Sequence, residues 1–65
     1  MQVLINGKST SLADIGTVRE LLARLGLQGR LAVEVNERIV PQSEFGSHPV
    51  RDGDRIEIVQ AIGGG

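Results

Sequence analysis

The sequence predicts an α+β fold in which one α-helix packs across one face of a mixed sheet of four to five strands. Three observations carry that expectation. Asn6-Gly7 ends an alternating N-terminal run, and Asn-Gly is the strongest short hairpin signal because a type I′ turn needs positive φ at both central residues. Val18, Leu21, Leu22 and Leu25 recur at the spacing of one helical face. Alternating segments then return at Leu31, Val33 and Val35 and again at Arg55 to Gln60.

In chain order, Val3 and Ile5 alternate with Gln2 and Leu4 in the first strand, and Lys8 to Leu12 is its polar return strand, placed at or near an edge. Asp14-Ile15-Gly16 reads as a loop. Thr17-Val18-Arg19-Glu20 fits a capping box, the Thr17 hydroxyl taking the Glu20 amide and the Glu20 carboxylate reaching back to the Thr17 amide. Gly26 is placed to end the helix in left-handed conformation, with Leu27 folding back onto the apolar stripe. Leu31 to Asn36 is a half-buried strand, and Asn36-Glu37 is a poorer turn than Asn-Gly. Arg38-Ile39-Val40 is a short strand stopped by Pro41, which has no amide to donate to a ladder. Gln42 to Val50 is irregular, with a helical turn around Ser43 to Phe45 and Phe45 plugging one end of the core. Asp52-Gly53 is a turn. In the last strand Ile56 and Ile58 share one face, and Glu57 and Val59 the other.

A single amphipathic helix must bury its stripe on one face of the sheet. Placing the first and last strands side by side, in parallel, at the centre gives a β-grasp domain over residues 1–60, with 61–65 a flexible C-terminal tail. With 65 residues the chain buries only about 60% of the surface its unfolded form exposes, too little to enclose a substrate. A carrier, adaptor or binding module is therefore expected, not a self-contained enzyme.

The charge balance excludes further classes. Seven basic against eight acidic side chains, with one Phe and neither Trp nor Tyr, offer no basic surplus and no stacking platform for nucleic acid. No apolar run approaches the roughly 18 residues of a membrane span, and the N-terminus reads as no signal peptide. There is no cysteine for a disulfide or a thiolate metal site, which is compatible with the expected cytoplasmic location. His48, the one histidine, lacks a second to share a metal and reads as a loop residue. Asp52 and Asp54 lack the twelve-residue loop of a calcium site and read as turn residues. Asn6-Gly7 and Gly26 are backbone punctuation, since neither has the strand-loop-helix spacing of a phosphate-binding loop. No bound cofactor, metal or catalytic residue is expected.

Gly63-Gly64-Gly65 is the feature the fold does not need. Glycine loses more conformational freedom on ordering than any other residue, so three in a row are expected to be unordered in the free protein. Ala61 to Gly65 spans at most about 18 Å extended. Such a tail, with no side chain to block approach, can enter a narrow channel in a partner and present its carboxylate. Leu4 and Val59 point to the face opposite the helix, near the tail, and, with Ile62, form a candidate patch for docking that partner, although isolated exposed apolar residues are also ordinary.

Over nearly its whole length the sequence resembles the ThiS family of sulfur carriers in bacterial thiamine biosynthesis. The resemblance is densest in Leu31 to Asn36, in Ile39-Val40-Pro41, in Val50-Arg51-Asp52-Gly53-Asp54 and in Ile56 to Gly65, including the spacing from Asp52-Gly53-Asp54 to the terminal glycines. Glu37, where Gly is common, and Phe45, where Trp is common, depart from the pattern away from the tail. The resemblance implies that the Gly65 carboxylate is adenylated by a ubiquitin-activating-type, ThiF-like adenylyltransferase that uses ATP. Gly64 and Gly63 would thread the channel. Sulfur from a cysteine desulfurase would then leave a thiocarboxylate on Gly65, and a ThiG-like thiazole synthase would take it. Competing readings are the small subunit of molybdopterin synthase, a ubiquitin-like modifier joined to lysines, and a binding module whose glycines are incidental.

Overall fold

Two hairpins, each turning on an asparagine, set the register of the sheet. The structure, a computed structural model, describes residues 1–60. β1 (Gln2–Ile5) and β2 (Lys8–Ser11) pair antiparallel from Gln2↔Ser11 to Ile5↔Lys8. Between them Asn6 and Gly7 adopt φ of 50° and 83°, the left-handed pair the Asn-Gly signal calls for. Beyond the strand ends, reciprocal bonds of 2.8 Å between the amino and carbonyl groups of Met1 and Leu12 continue the ladder one step. β3 (Leu31–Val35) and β4 (Arg38–Val40) form the second hairpin, with φ of 52° at Asn36 and 69° at Glu37. Glutamate has a Cβ that makes this region unfavourable, so the second turn carries backbone strain that the first avoids.

Helix α1 (Val18–Arg24) begins at Thr17, which is extended and accepts the Glu20 amide on Oγ1 at 3.4 Å. The other half of the expected capping box is absent. Backbone bonds fix the entry loop instead, from Val18 N to His48 O and from Val50 N to Gly16 O, both 3.0 Å. Glu20 Oε1 lies over Gly16, so close that a Cβ there would meet it at 2.9 Å. The C-terminus is a Schellman motif: the amide of Gly26, at φ 72°, bonds Ala23 O, and that of Leu27 bonds Leu22 O. Val18, Leu21 and Leu22 are buried as the stripe requires; Leu25, at the cap, is half-buried.

β5 (Arg55–Gln60) completes a sheet of order β2-β1-β5-β3-β4. It runs parallel to β1 (Leu4↔Arg55, Ile5↔Ile56) and antiparallel to β3, from Leu31↔Gln60 to Val35↔Ile56. A parallel central pair of first and last strands with one helix across them is the β-grasp arrangement. The helix covers Val3, Val33, Ile56 and Ile58, all buried, and Ile15, Phe45 and Val50 close the ends of that core. The expected helical turn is a 3₁₀ turn, Gln42–Glu44. No helix of the described residues is long and apolar enough to cross a membrane.

Candidate functional site

One face of the sheet is occupied by α1; the other is open among the described residues. Alternation along the strands decides what it shows. Val3 faces α1, so Leu4 faces outward; Ile56 and Ile58 face α1, so Arg55, Glu57 and Val59 face outward. Leu4, at 39% exposure, and Val59, at 64%, therefore share the open face as the sequence predicts. The register does not bring them together. Leu4 lies across from Arg55, and Val59 is four positions further along β5, about 13 Å away. Val59 adjoins the strand end where the tail departs, whereas Leu4 sits at the other end of β5, with Arg55 and Glu57 between them. The expectation that both flank the tail is thus corrected for Leu4, because β1 pairs only with the start of β5.

A third apolar residue belongs to this face. Ile39 is, among the described residues, the most exposed of the large hydrophobics, at 77%, and pairs with Glu34, itself across from Glu57. Hairpin arithmetic could have found it. A two-residue turn at Asn36-Glu37 places Val35 beside Arg38 and hence Glu34 beside Ile39, so Ile39 must share the outward face of Glu34. Glu34, Glu37, Arg55 and Glu57 line a shallow acidic depression of about 320 Å³ among these residues. The face is apolar points in an acidic field, suited to a partner surface with apolar sockets and basic rims.

The remaining candidates are held by turn chemistry. Asp52 Oδ1 accepts the Gln2 amide at 2.7 Å. Asp54 accepts from the Arg51 amide at 2.8 Å and from Asn36 Nδ2 at 3.0 Å, and Asn36 Oδ1 in turn accepts the Arg55 amide at 2.9 Å. These carboxylates tie the 51–54 turn to β1 and to the second hairpin. His48 Nδ1 lies 3.1 Å from Pro49 O. Among the described residues no three His, Asp or Glu side chains converge as a metal site, and no polar side chain is buried. A groove of about 330 Å³ between the end of α1 and Phe45 is lined by Leu22, Ala23, Leu27 and Leu31. Arg19 is the one ionisable residue on its walls, which leaves no acid–base pair there.

The described part of β5 ends at Gln60, beside Leu31 and the loop after α1, where Gln60 Nε2 donates to Gln28 O at 3.3 Å. Gly63, Gly64, Gly65 and Ile62 lie outside the described residues. Residues 3–65, the glycine tail included, match the ThiS family. The chain belongs to the ThiS family. Its whole length aligns with the whole of the sulfur carrier protein ThiS of Escherichia coli at 41% identity. It is 46% identical to a stretch of a protein of Paramagnetospirillum magneticum named thiazole synthase, and spans only 20% of that longer chain. Among solved structures, the thiamine biosynthesis protein ThiS of Geobacter metallireducens superposes over the full length of both chains, with a TM-score of 0.84 at 30% identity. A ThiS crystal structure that follows the chain so closely supports the β-grasp topology independently of strand pairing.

Proposed function

We propose that this chain is a sulfur carrier of thiamine biosynthesis, acting through the carboxylate of Gly65 and not as a catalyst. The observation that carries the reading is a family match that runs through the terminal glycines, together with full-length similarity to the sulfur carrier of Escherichia coli. The chemistry follows from what a carboxylate lacks. It is a poor electrophile, and attack of one of its oxygens on the α-phosphorus of ATP expels pyrophosphate and makes an acyl adenylate. The terminal sulfur of a persulfide formed by a cysteine desulfurase then displaces AMP to give an acyl disulfide. A thiol cleaves its S–S bond, leaving the thiocarboxylate on the carrier and a disulfide on the sulfur donor. The covalent machinery belongs to partners: a ThiF-like adenylyltransferase and, as sulfur acceptor, a ThiG-like thiazole synthase. The similarity to part of a longer protein named thiazole synthase supports the second partner.

On this reading the domain is a handle. The open face, through Val59, Leu4 and Ile39, rests on the adenylating partner, with Ile62 at the mouth of the channel, while Gly63 and Gly64 pass through it. Removing Gly64 and Gly65 tests the account. Pyrophosphate exchange with the adenylating partner should fall to background, and the thermal midpoint should stay put, because β5 ends at Gln60. Undiminished exchange by the shortened chain would refute the reading.

A further inference from the structure

Asn6 does more than turn the first hairpin. β1 ends at Ile5, opposite Ile56, while β5 runs on for four more residues with no strand on that side among the described residues. The Asn6 amide bonds Ile56 O at 2.9 Å, continuing the β1–β5 ladder one step as the chain turns away. The Asn6 side chain then supplies the next step: Oδ1 accepts from Ile58 N at 2.8 Å, and Nδ2 donates to Ile58 O at 3.1 Å. A carboxamide presents one donor and one acceptor side by side, as a peptide unit does, so this single side chain stands in for a strand neighbour 52 positions away in sequence. The φ of 50° at Asn6 serves both purposes, allowing the I′ turn and aiming the amide at β5. On the opposite side, β3 reaches as far as Gln60 through Leu31. The final stretch of β5 is thus clamped between β3 and one asparagine, two residues before Gln60.

We propose that Asn6 is a positioning residue that fixes the direction in which the tail leaves β5. The inference rests on the sulfur-carrier reading for its consequence and on the geometry alone for its mechanism. Docking through the open face sets where the domain sits on the adenylating partner; the clamp at Ile58 sets where the tail points from there. A misdirected exit displaces the terminal carboxylate from the α-phosphate while leaving docking intact, and an ångström-scale displacement can cost about a hundredfold in rate.

The test pairs two variants. Asn6→Gly removes the amide and accepts the left-handed φ; Asn6→Asp keeps the oxygen for Ile58 N–H and loses the donor to Ile58 O. Amide hydrogen exchange at Ile58 should quicken about tenfold in Asn6→Gly, and less in Asn6→Asp, as expected for loss of one or both bonds. Val59, whose amide faces β3, should hold its rate. In ATP-dependent adenylation, kcat should fall about tenfold for Asn6→Gly and less for Asn6→Asp, with KM for the carrier unchanged. Unchanged exchange at Ile58 would overturn the proposal, as would quickening shared equally by Val33 and Ile56, which is general loosening. Local quickening with undiminished kcat would also overturn it. A wild-type chain that is never adenylated would instead remove the sulfur-carrier reading, and the exchange rates would still decide whether Asn6 clamps the strand.

Discussion

Val3, Val33, Ile56 and Ile58 lie under α1 with exposures of 8% or less, while the residues one step along the same strands, Leu4, Glu34, Glu57 and Val59, stand in solvent on the open face. The same backbone thus carries two different chemistries at a period of two. The inner face is continuous apolar surface and supplies the stability that so short a chain can gather. The outer face interrupts its apolar side chains with carboxylates, which keeps it soluble and leaves separated points of contact. If the open face docks the adenylating partner as proposed, function is separable from folding: the inner face should tolerate little change without unfolding, and the outer face much change without unfolding but little without loss of that partner.

The hardest test of that separation is Leu21→Ala. Leu21 is fully buried against the sheet, and emptying its site should cost about 2–5 kcal/mol. In a domain of this size that lowers the thermal midpoint by about 8–40 °C, at about 4–8 °C per kcal/mol, as read by circular dichroism. The outer face should answer in the opposite way. Leu4→Asp, Ile39→Asp and Val59→Asp together should weaken the complex with the adenylating partner by about 10- to 100-fold in a titration, with the midpoint nearly unchanged. Equal loss of stability from the two sets would dissolve the comparison. The smallest effect concerns the second turn. Glu37→Gly relieves a positive φ of 69°, against a gain in unfolded-state entropy, and should stabilise by about 0.5–1 kcal/mol. An unstrained Glu37 would show no gain.

The fold was legible because its signals are local. Asn6-Gly7 fixed the first hairpin, Thr17 and Gly26 marked both ends of α1, and alternation in 55–60 assigned the faces of β5. The helix entry was less legible. The capping-box pattern of Thr17 and Glu20 is satisfied by half, because backbone bonds from residues 48–50 hold the loop, and no local pattern encodes them. At the candidate site the outward direction of Leu4 and Val59 followed from period two, but their separation did not: it depends on where β1 meets β5, a pairing between residues about fifty positions apart in the sequence. Ile39 escaped notice because a three-residue strand has too few positions to show a period, although the turn length determines its face. The side-chain bonds of Asn6 to Ile58 are a long-range contact that no periodicity announces. The glycine tail, by contrast, was conspicuous because three successive glycines fit no helix or strand pattern.

The central claim is that sulfur is carried on Gly65, and mass spectrometry of the C-terminal peptide tests it most directly. The chain would be incubated with ATP, the adenylating partner, a cysteine desulfurase and cysteine, and the terminal peptide then fragmented. Locating the change matters, because replacing one oxygen by sulfur shifts the mass by nearly as much as oxidising Met1. The account predicts a thiocarboxylate confined to Gly65. A tail left unmodified by partners that modify an established carrier, or a tail found joined to lysine side chains of other proteins, would contradict it.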